Sequence, residues 1–433
     1  MKNSGVEWIG EIPEDWDIYR NKNAFICNKE IVGKNSNSTQ LLSLTTGGIK
    51  CKDINNVEGK LPESFDTYQY VKKNDVVMCL FDLDMSAVFS GISQYDGMIS
   101  PAYKVLSCQD RANPLFIHYW FSYIFDGRKF NHYAKNIRYT LNYNEFATLP
   151  ILLPPKSTQQ RIASYLDKKC NKIEETIQNQ QQVIEKLNAY KQSLITEAVT
   201  GKVKIENGKA CGEYKSYKES GVEWIGKIPS GWISTRVGHL YKSMLGKMVC
   251  PNQLTEEHSL QKYLCAMNVH FDGVDLSEIK EMWFTPNEMN QYQVRNGDLL
   301  VVEGGAGAGG ASIVYGLSEN DKIFIQNSIH LVKPVKTNYL PKYLYYWIYS
   351  LVKQNYIDYT CNKATIPHFT KEKLEGMPIA ISDKITQQEI IVYLDKKCTA
   401  IDTAIEQKQN LIEKLTEYKK SLIYEYVTGK KAI

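Results

Sequence analysis

The sequence predicts an α+β protein that uses one plan twice: two mixed domains separated by two long antiparallel coiled-coil helices, with an internal pseudo-twofold repeat. Three observations carry this expectation. Residues 4–16, SGVEWIGEIPEDW, recur at 220–232 as SGVEWIGKIPSGW, with ten identities in thirteen at a displacement of 216. Residues 158–202 recur without a gap at 386–430, with twenty-seven identities in forty-five at a displacement of 228. The two displacements differ by 12, so the second intervening stretch is longer by that amount. Finally, the longer recurring segment carries apolar residues in steps of four and three, the 3.5-residue period of a helix that pairs with another helix.

Each element follows from that frame. The first domain is expected over 1–156, the first helix over 157–202, a linker over 203–219, the second domain over 220–384 and the second helix over 385–433. In the first helix the stripe is Leu166, Cys170, Ile173, Ile177, Gln180, Ile184, Leu187, Lys191, Leu194 and Ala198. In the second it is Leu394, Cys398, Ile401, Ile405, Lys408, Ile412, Leu415, Lys419, Leu422 and Tyr426, with polar residues at the same two heptad positions. The leucines and isoleucines of both stripes are the expected seam. Ser157 with Gln160, and Thr386 with Glu389, have capping-box spacing at the helix starts, while Gly201 and Gly429 stand where a left-handed C-terminal residue is needed. Forty-odd residues make each helix roughly 60 Å long. With one apolar stripe neither is stable alone, and the nearest suitable partner is its twin. Residues 203–218, rich in Lys, Glu and Gly, read as a linker.

The stretches between the repeats differ in sequence but share punctuation. Lys73-Asn74-Asp75 ahead of Val76-Val77 matches Arg295-Asn296-Gly297-Asp298 ahead of Leu299, a turn followed by a buried strand. Pro114 leads into Tyr119-Trp120 as Pro341 leads into Tyr346-Trp347, and Leu149-Pro150 corresponds to Met377-Pro378. One fold with two divergent surfaces explains both halves.

Composition narrows the function. A chain of 433 residues with 43% hydrophobic and 23% charged residues is long enough for several cores and too apolar for disorder. No apolar run approaches a membrane span and the N-terminal stretch has no signal-like core, so the expected location is cytoplasmic. The closest of the ten cysteines are fifteen residues apart and no C-x-x-C or H-E-x-x-H occurs, so reduced thiols and no metal are expected. The net charge of +4 is mild, but its distribution is uneven. From 111 to 140 five Lys/Arg face one acid, and from 333 to 373 seven face two, interleaved with Tyr133, Tyr139, Tyr143, Tyr345, Tyr346, Tyr356 and Tyr359. Basic, aromatic and amide side chains together are the footprint of nucleic-acid contact.

Catalytic chemistry is missing. The run EGGAGAGGAS at 303–312 lacks the Lys-Ser/Thr of a phosphate loop, since Gly310, Ala311 and Ser312 stand in its place. It reads either as a tight structural turn or as a loop whose bare backbone, through Gly309 and Ser312, approaches a DNA backbone. No G-x-S-x-G and no Asn-Pro-Pro-Tyr is present, so the chain is not expected to be an enzyme. The best candidates for base contacts are Lys135, Asn136, Arg138, Tyr139, Thr140 and Asn142 in the first copy. Asn362, Lys363, Thr365 and His368 take the matching place in the second. Arg, Lys and Asn there present the donors that suit guanine and adenine edges.

Together the tag GVEWIG-x-IP-x-x-W, the lead-in LP-x-x-L-PP-x-x-x-Q, the helix from SYLDKKCNKIEETI to ITEAVTGK, and the repetition of all three resemble the DNA-specificity subunit of type I restriction-modification systems. The likeness extends over nearly the whole chain and departs at Thr158 and Thr386, where many relatives carry Glu before Gln. It implies two target-recognition domains that read the halves of a bipartite, asymmetric site on double-stranded DNA. It implies no catalytic residue and no cofactor in this chain. S-adenosylmethionine, ATP and Mg would belong to two methyltransferase (modification) subunits and, where restriction is present, two endonuclease/translocase subunits, the complex carrying out adenine methylation. The alternative is a non-DNA adaptor whose coiled coil spaces two protein- or glycan-binding domains.

Overall fold

The local sequence signals close into elements where backbone groups find partners. The structure is a computed structural model that describes residues 1–53, 62–134, 138–361 and 367–433. Its helices are α1 (Pro114–Asp126), α2 (Tyr143–Thr148), α3 (Lys156–Val199), α4 (Val237–Leu240), α5 (Pro286–Tyr292), α6 (Pro341–Val352), α7 (Tyr356–Thr360), α8 (Lys371–Gly376) and α9 (Lys384–Val427). The chain forms two units, Met1–Gln181 with Lys408–Ile433, and Gln182–Gln407, so each long helix is shared between them.

In the first unit a four-stranded antiparallel sheet has the order Phe25–Asn28, Lys104–Cys108, Val76–Met78, Ser90–Ile92. Pro150–Leu153, leading into α3, pairs with Asp17–Arg20. The second unit repeats this with Tyr241–Leu245, Ile329–Pro334, Leu299–Val302 and Ala311–Ile313, and pairs Pro378–Ile381 with Ile233–Arg236. It adds a three-stranded sheet of Lys280–Phe284, Ser259–Leu264 and Ile323–Ile325, the last pair parallel. The turns before the central strands form as the punctuation predicts: Asn74 and Gly297 take left-handed backbone, and Asp75 and Asp298 accept from the amides of Lys72 and Arg295.

Both long helices are 44 residues long. Within the first unit they run antiparallel: Tyr165 packs on Tyr426 at 4.7 Å, Lys419 pairs with Glu174 at 2.6 Å, and Lys408 donates to Gln180 at 3.1 Å. In the last two contacts the polar heptad residues Gln180, Lys408 and Lys419 face the partner helix and are matched there. Leu166, Ile173, Ile177 and Leu422 lie in the first unit's core, with Ile412 and Leu415 packed against it. Leu194, Leu394 and Ile401 lie in the second unit's core, with Leu187 and Ile405 against it, while Ile184 is half-buried and outside both.

The helix starts differ from the sequence expectation. No capping bond joins Ser157 to Gln160 or Thr386 to Glu389 among the described contacts. Instead the Asp383 carboxylate accepts from the amides of Ile385 and Thr386 and from the Thr386 hydroxyl, because a side chain before the helix can reach its free N–H groups. At both starts a fully buried glutamine ties the helix to its domain. Gln159 donates to the carbonyls of Arg111 and Pro154 and accepts from the Asn113 amide, all at 2.8 Å. Gln387 donates to Asn338 and Ser382 and accepts from Leu340, at 2.9–3.1 Å.

At the helix ends the two recurring segments meet. Gly201 and Gly429 have φ of +72° and +70°, and a Cβ on either would lie 2.5 Å from Pro229 or Pro13, with Trp232 or Trp16 beside it. The tag in each unit is thus the seat of a helix end. Gly201→Ala and Gly429→Ala are each expected to cost about 2 kcal/mol, from left-handed strain plus the proline clash. Urea unfolding of each variant measures this, and a change within error of zero would refute the seat. The stretch expected as a bare linker is folded as well: Ile205–Glu206 pairs with Lys209–Ala210, and Ile205 enters the second unit's core.

Candidate nucleic-acid interface

The basic, aromatic stretches divide into core and surface. Tyr133 accepts from the Trp8 indole, Tyr345 donates to the Phe271 carbonyl, and Tyr346 donates to Asp395 at 2.6 Å. Burial and that carboxylate push the Tyr346 phenol far above its usual range. Tyr143 is half-buried beside Phe146 and Tyr356 packs edge-on against Phe369, so these rings are scaffold rather than free stacking platforms. Tyr359, 86% exposed, and Tyr139, 38% exposed, remain available.

In the first unit the candidate segment lies between Phe130, buried among Phe89, Phe121 and Phe146, and α2. Arg138 is exposed and makes no hydrogen bond or ion pair among the described residues. Tyr139 has φ +48°, and its carbonyl accepts from the Leu83 amide. The Thr140 hydroxyl accepts from the Asp82 amide, and the Leu141 amide donates to Leu80. A left-handed non-glycine residue held by bonds on both sides is strained backbone maintained by its surroundings, and it turns the Tyr139 side chain outward. Arg128, also left-handed at φ +47°, locks the adjoining loop by donating to the Leu83 carbonyl.

Asn142 has a local duty that the sequence reading missed. It caps α2, accepting from the Glu145 amide at 3.0 Å while Glu145 accepts from the Asn142 amide at 2.9 Å. Its carbonyl oxygen is therefore committed to the helix. Lys135 and Asn136 lie outside the described residues.

The second unit repeats the arrangement with other residues. Phe369 donates its amide to Glu303 and Gly304 bridges His368, as Leu141 bonds Leu80 in the first unit. Buried His330 meets the Phe369 carbonyl at 3.2 Å, and its other ring nitrogen has no partner among the described residues; burial lowers its pKa, so the ring is neutral and Nε2–H is the donor. Cys361 and Lys373 both donate to the His368 carbonyl, leaving the exposed His368 ring outward. Asn362, Lys363 and Thr365 lie outside the described residues.

The glycine run is placed beside His368, but Gly309 and Ser312 do not reach the surface. Gly309 is buried at φ +80°, where a Cβ would meet Ile357 at 2.6 Å, and Ser312 is a buried strand residue. Close packing explains these glycines, and the two positions are withdrawn as DNA contacts. The exposed part of the run is Ala306 and Gly307. In the first unit the corresponding loop, 81–86, carries Met85 at 82% exposure. The 81–86 loop had no signal in the sequence, and although the glycine run did, the place of each beside its candidate segment comes from pairing across the chain.

Among the described residues no group of three or more His, Cys, Asp or Glu could hold a metal ion, and no helix is long and apolar enough to cross a membrane. All ten cysteines are free.

The type I restriction modification DNA specificity domain matches residues 17–186 and 278–415, more than half of the chain. The chain belongs to this family. Among its relatives is the putative type I restriction enzyme MjaX specificity subunit of Methanocaldococcus jannaschii, 22% identical over 98% of this chain and 95% of that protein. Another is the type I restriction enzyme EcoBI specificity subunit of Escherichia coli, 21% identical over 64% of this chain and 57% of that one. In fold, a chain from a structure addressing assembly and conformational transition of the type I R-M system is similar at TM-score 0.67, with 13% identity over 97% of this chain and all of that one. The HsdS subunit from Thermoanaerobacter tengcongensis is similar at TM-score 0.50, with 14% identity over 97% and 98% of the two chains. As a type I specificity subunit, the chain carries DNA-recognition domains and is not the catalytic component. The non-DNA adaptor is not favoured.

Proposed function

We propose that this specificity subunit reads a bipartite, asymmetric site on double-stranded DNA, one half-site through each unit, and directs adenine methylation and restriction by partner subunits. The observation that supports it is the matched placement of two unlike surfaces on one frame: 138–141 beside 80–83 in the first unit, and 367–369 beside 303–304 in the second. Shared anchors with different exposed side chains are what two readers of different half-sites require. Residues 1–156 and 220–384 are the target-recognition domains, 157–202 and 385–433 the spacer helices, and 203–219 the connection. The helices act as an antiparallel coiled coil related by a pseudo-twofold axis. The partners are two methyltransferase subunits and, in a restricting system, two endonuclease/translocase subunits, which bring S-adenosylmethionine, ATP and Mg. The complex works in the cytoplasm.

Arg138, Tyr139 and Thr140 are assigned to the first half-site and His368 to the second, joined by Lys135, Asn136, Asn362, Lys363 and Thr365 from the flanking positions. Arg138→Ala is expected to lose about 1 to 3 kcal/mol of discrimination at one base of one half-site if the guanidinium grips a guanine edge. A phosphate contact would instead weaken all sequences alike and flatten the salt dependence. Binding to a panel of single-base variants at two salt concentrations separates these results, and wild-type affinity throughout removes Arg138 from the interface. For the function as a whole, the test mixes the chain with its methyltransferase subunit and S-adenosylmethionine and sequences the methylated DNA. Methylation by the isolated chain, or none at a bipartite motif with the subunit, overturns the reading.

A further inference from the structure

The first unit contains a cleft of about 730 Å³ between α1, the hairpin Leu42–Thr45/Gly48–Cys51 and the helices α3 and α9. The second unit shows what the same framework does when filled. Its hairpin Val269–His270/Gly273–Val274 carries Phe271 at the turn, and that ring lies 5.0 Å from Tyr349 and 6.2 Å from Tyr345 on α6. Lys353 stands 6.0 Å from the centre of the Phe271 ring. The Tyr345 hydroxyl donates to the Phe271 carbonyl at 2.6 Å.

Every one of those groups is replaced in the first unit. Thr45 and Gly48 close the first hairpin as His270 and Gly273 close the second, which puts exposed Thr46 where Phe271 stands. Aligning the helix starts at Pro114 and Pro341 puts His118 in place of Tyr345, Ser122 in place of Tyr349, and Asp126 in place of Lys353. Two of the three rings are gone, the third is an imidazole and one charge is reversed, yet contacts of the frame beneath are kept. Tyr119 meets Asp167 as Tyr346 meets Asp395, and Lys419 pairs with Glu174 as Lys191 pairs with Asp402.

The walls left exposed are amphipathic. Phe89 and Phe125, stacked at 5.9 Å with 5° between their planes, contribute apolar lining. Asp126 lines the same cleft and makes no hydrogen bond or ion pair among the described residues. Asp126 is exposed, and although partial burial raises its pKa against the pull of Lys420, Lys419 and Arg128, its carboxyl group stays open to a donor that reaches it.

We propose that this cleft receives a tyrosine or tryptophan side chain from a loop of a protein partner, its ring against His118 and the edge of Phe125, whose face carries the Arg128 guanidinium, and its O–H or N–H donated to Asp126. A protein ring is the occupant because the second unit fills the same place with one, presented on a turn. An amphipathic ring is required because the lysine that completes the second site is here an acceptor. The partner assigned is the methyltransferase subunit, and that assignment rests on the proposed function.

The test uses the full chain labelled at histidine, with 4-methylphenol as the ring-plus-donor probe and toluene as the ring alone. The probe is expected to shift the His118 signals, with toluene and Asp126→Asn each weakening the response by about tenfold. Thr46→Phe and Ser122→Tyr, which restore rings found in the second unit, are expected to abolish it. Thr46→Phe is also expected to lower capture of the methyltransferase subunit by about tenfold or more while DNA affinity is kept. No response in the wild type, or an equal response in both filled variants, overturns the cleft as a receptor. Probe binding with unchanged subunit capture by Thr46→Phe overturns the protein partner. A wild-type chain that binds neither DNA nor the subunit removes the functional reading and this partner together, and the probe result still decides the receptor.

Discussion

Gln159→Leu is expected to lower the stability of the first unit by about 3 kcal/mol, although leucine matches glutamine in size and suits a buried site. The loss comes from what the side chain leaves behind. The Asn113 amide and the carbonyls of Arg111 and Pro154 would lose their shared partner where water does not reach. Each unsatisfied buried group costs about 1 to 3 kcal/mol, partly offset by easier burial of an apolar side chain. Gln387→Leu should behave alike in the second unit, stranding Leu340, Asn338 and Ser382. Chemical denaturation followed by tryptophan fluorescence checks both. A loss below about 1 kcal/mol in either variant would mean that water or backbone relaxation satisfies the groups.

Ile177→Asp is expected to cost about 3 kcal/mol or more, because an unpaired carboxylate would replace an apolar side chain in a packed core. Ile177 is buried in the first unit's core with Ile173, and Ile412 and Leu415 pack against that core from the antiparallel helix. Ile184→Asp should cost distinctly less, since Ile184 has the same heptad role but is half-buried and outside both cores. Thermal and urea unfolding of the pair distinguish a seam that is uniformly dry from one that is anchored where the domains cover it. Equal losses would favour the uniform seam.

The contrast between these isoleucines shows the limit of periodicity. The 3.5-residue stripe marked both helices and named the residues facing inward, because side-chain direction on a helix follows from spacing alone. How deeply each is buried depends on what lies over the helix, and that is set by segments distant in sequence. The same holds at the helix starts. The recurring Thr-Gln-Gln at 158–160 and 386–388 made Gln159 visible as a repeated residue, but a capping spacing drew attention to Ser157 and Gln160 instead. Only the fold brings Arg111 and Asn113 to its side chain.

The candidate interface divides in the same way. A candidate location could be read from the sequence, since the segments at 131–144 and 361–368 precede the recurring Pro strands and concentrate Arg, Lys and Asn; among the described residues, 139–141 and 368–369 stand at matched anchors in the two units. Individual roles were not legible. Asn142 looked like a base-reading amide and is a helix cap, and Gly309 and Ser312 looked like an exposed loop and are packed inside. Polar residues and glycines serve capping, turns and close contacts as readily as recognition, so composition does not separate these uses.

By itself, then, the sequence determined the doubled plan, the two long helices with their inward stripe, the glycines that end them and the family resemblance, because repetition and helical period are properties of order along a chain. The tertiary structure alone decided which end meets which partner: that each tag seats a helix end, that His330 holds Phe369, and that a cleft opens in one unit where three rings fill the other. These are contacts between residues tens to hundreds of positions apart. Their free energy depends on distance, burial and the completeness of hydrogen bonding, which exist only once the chain has closed on itself.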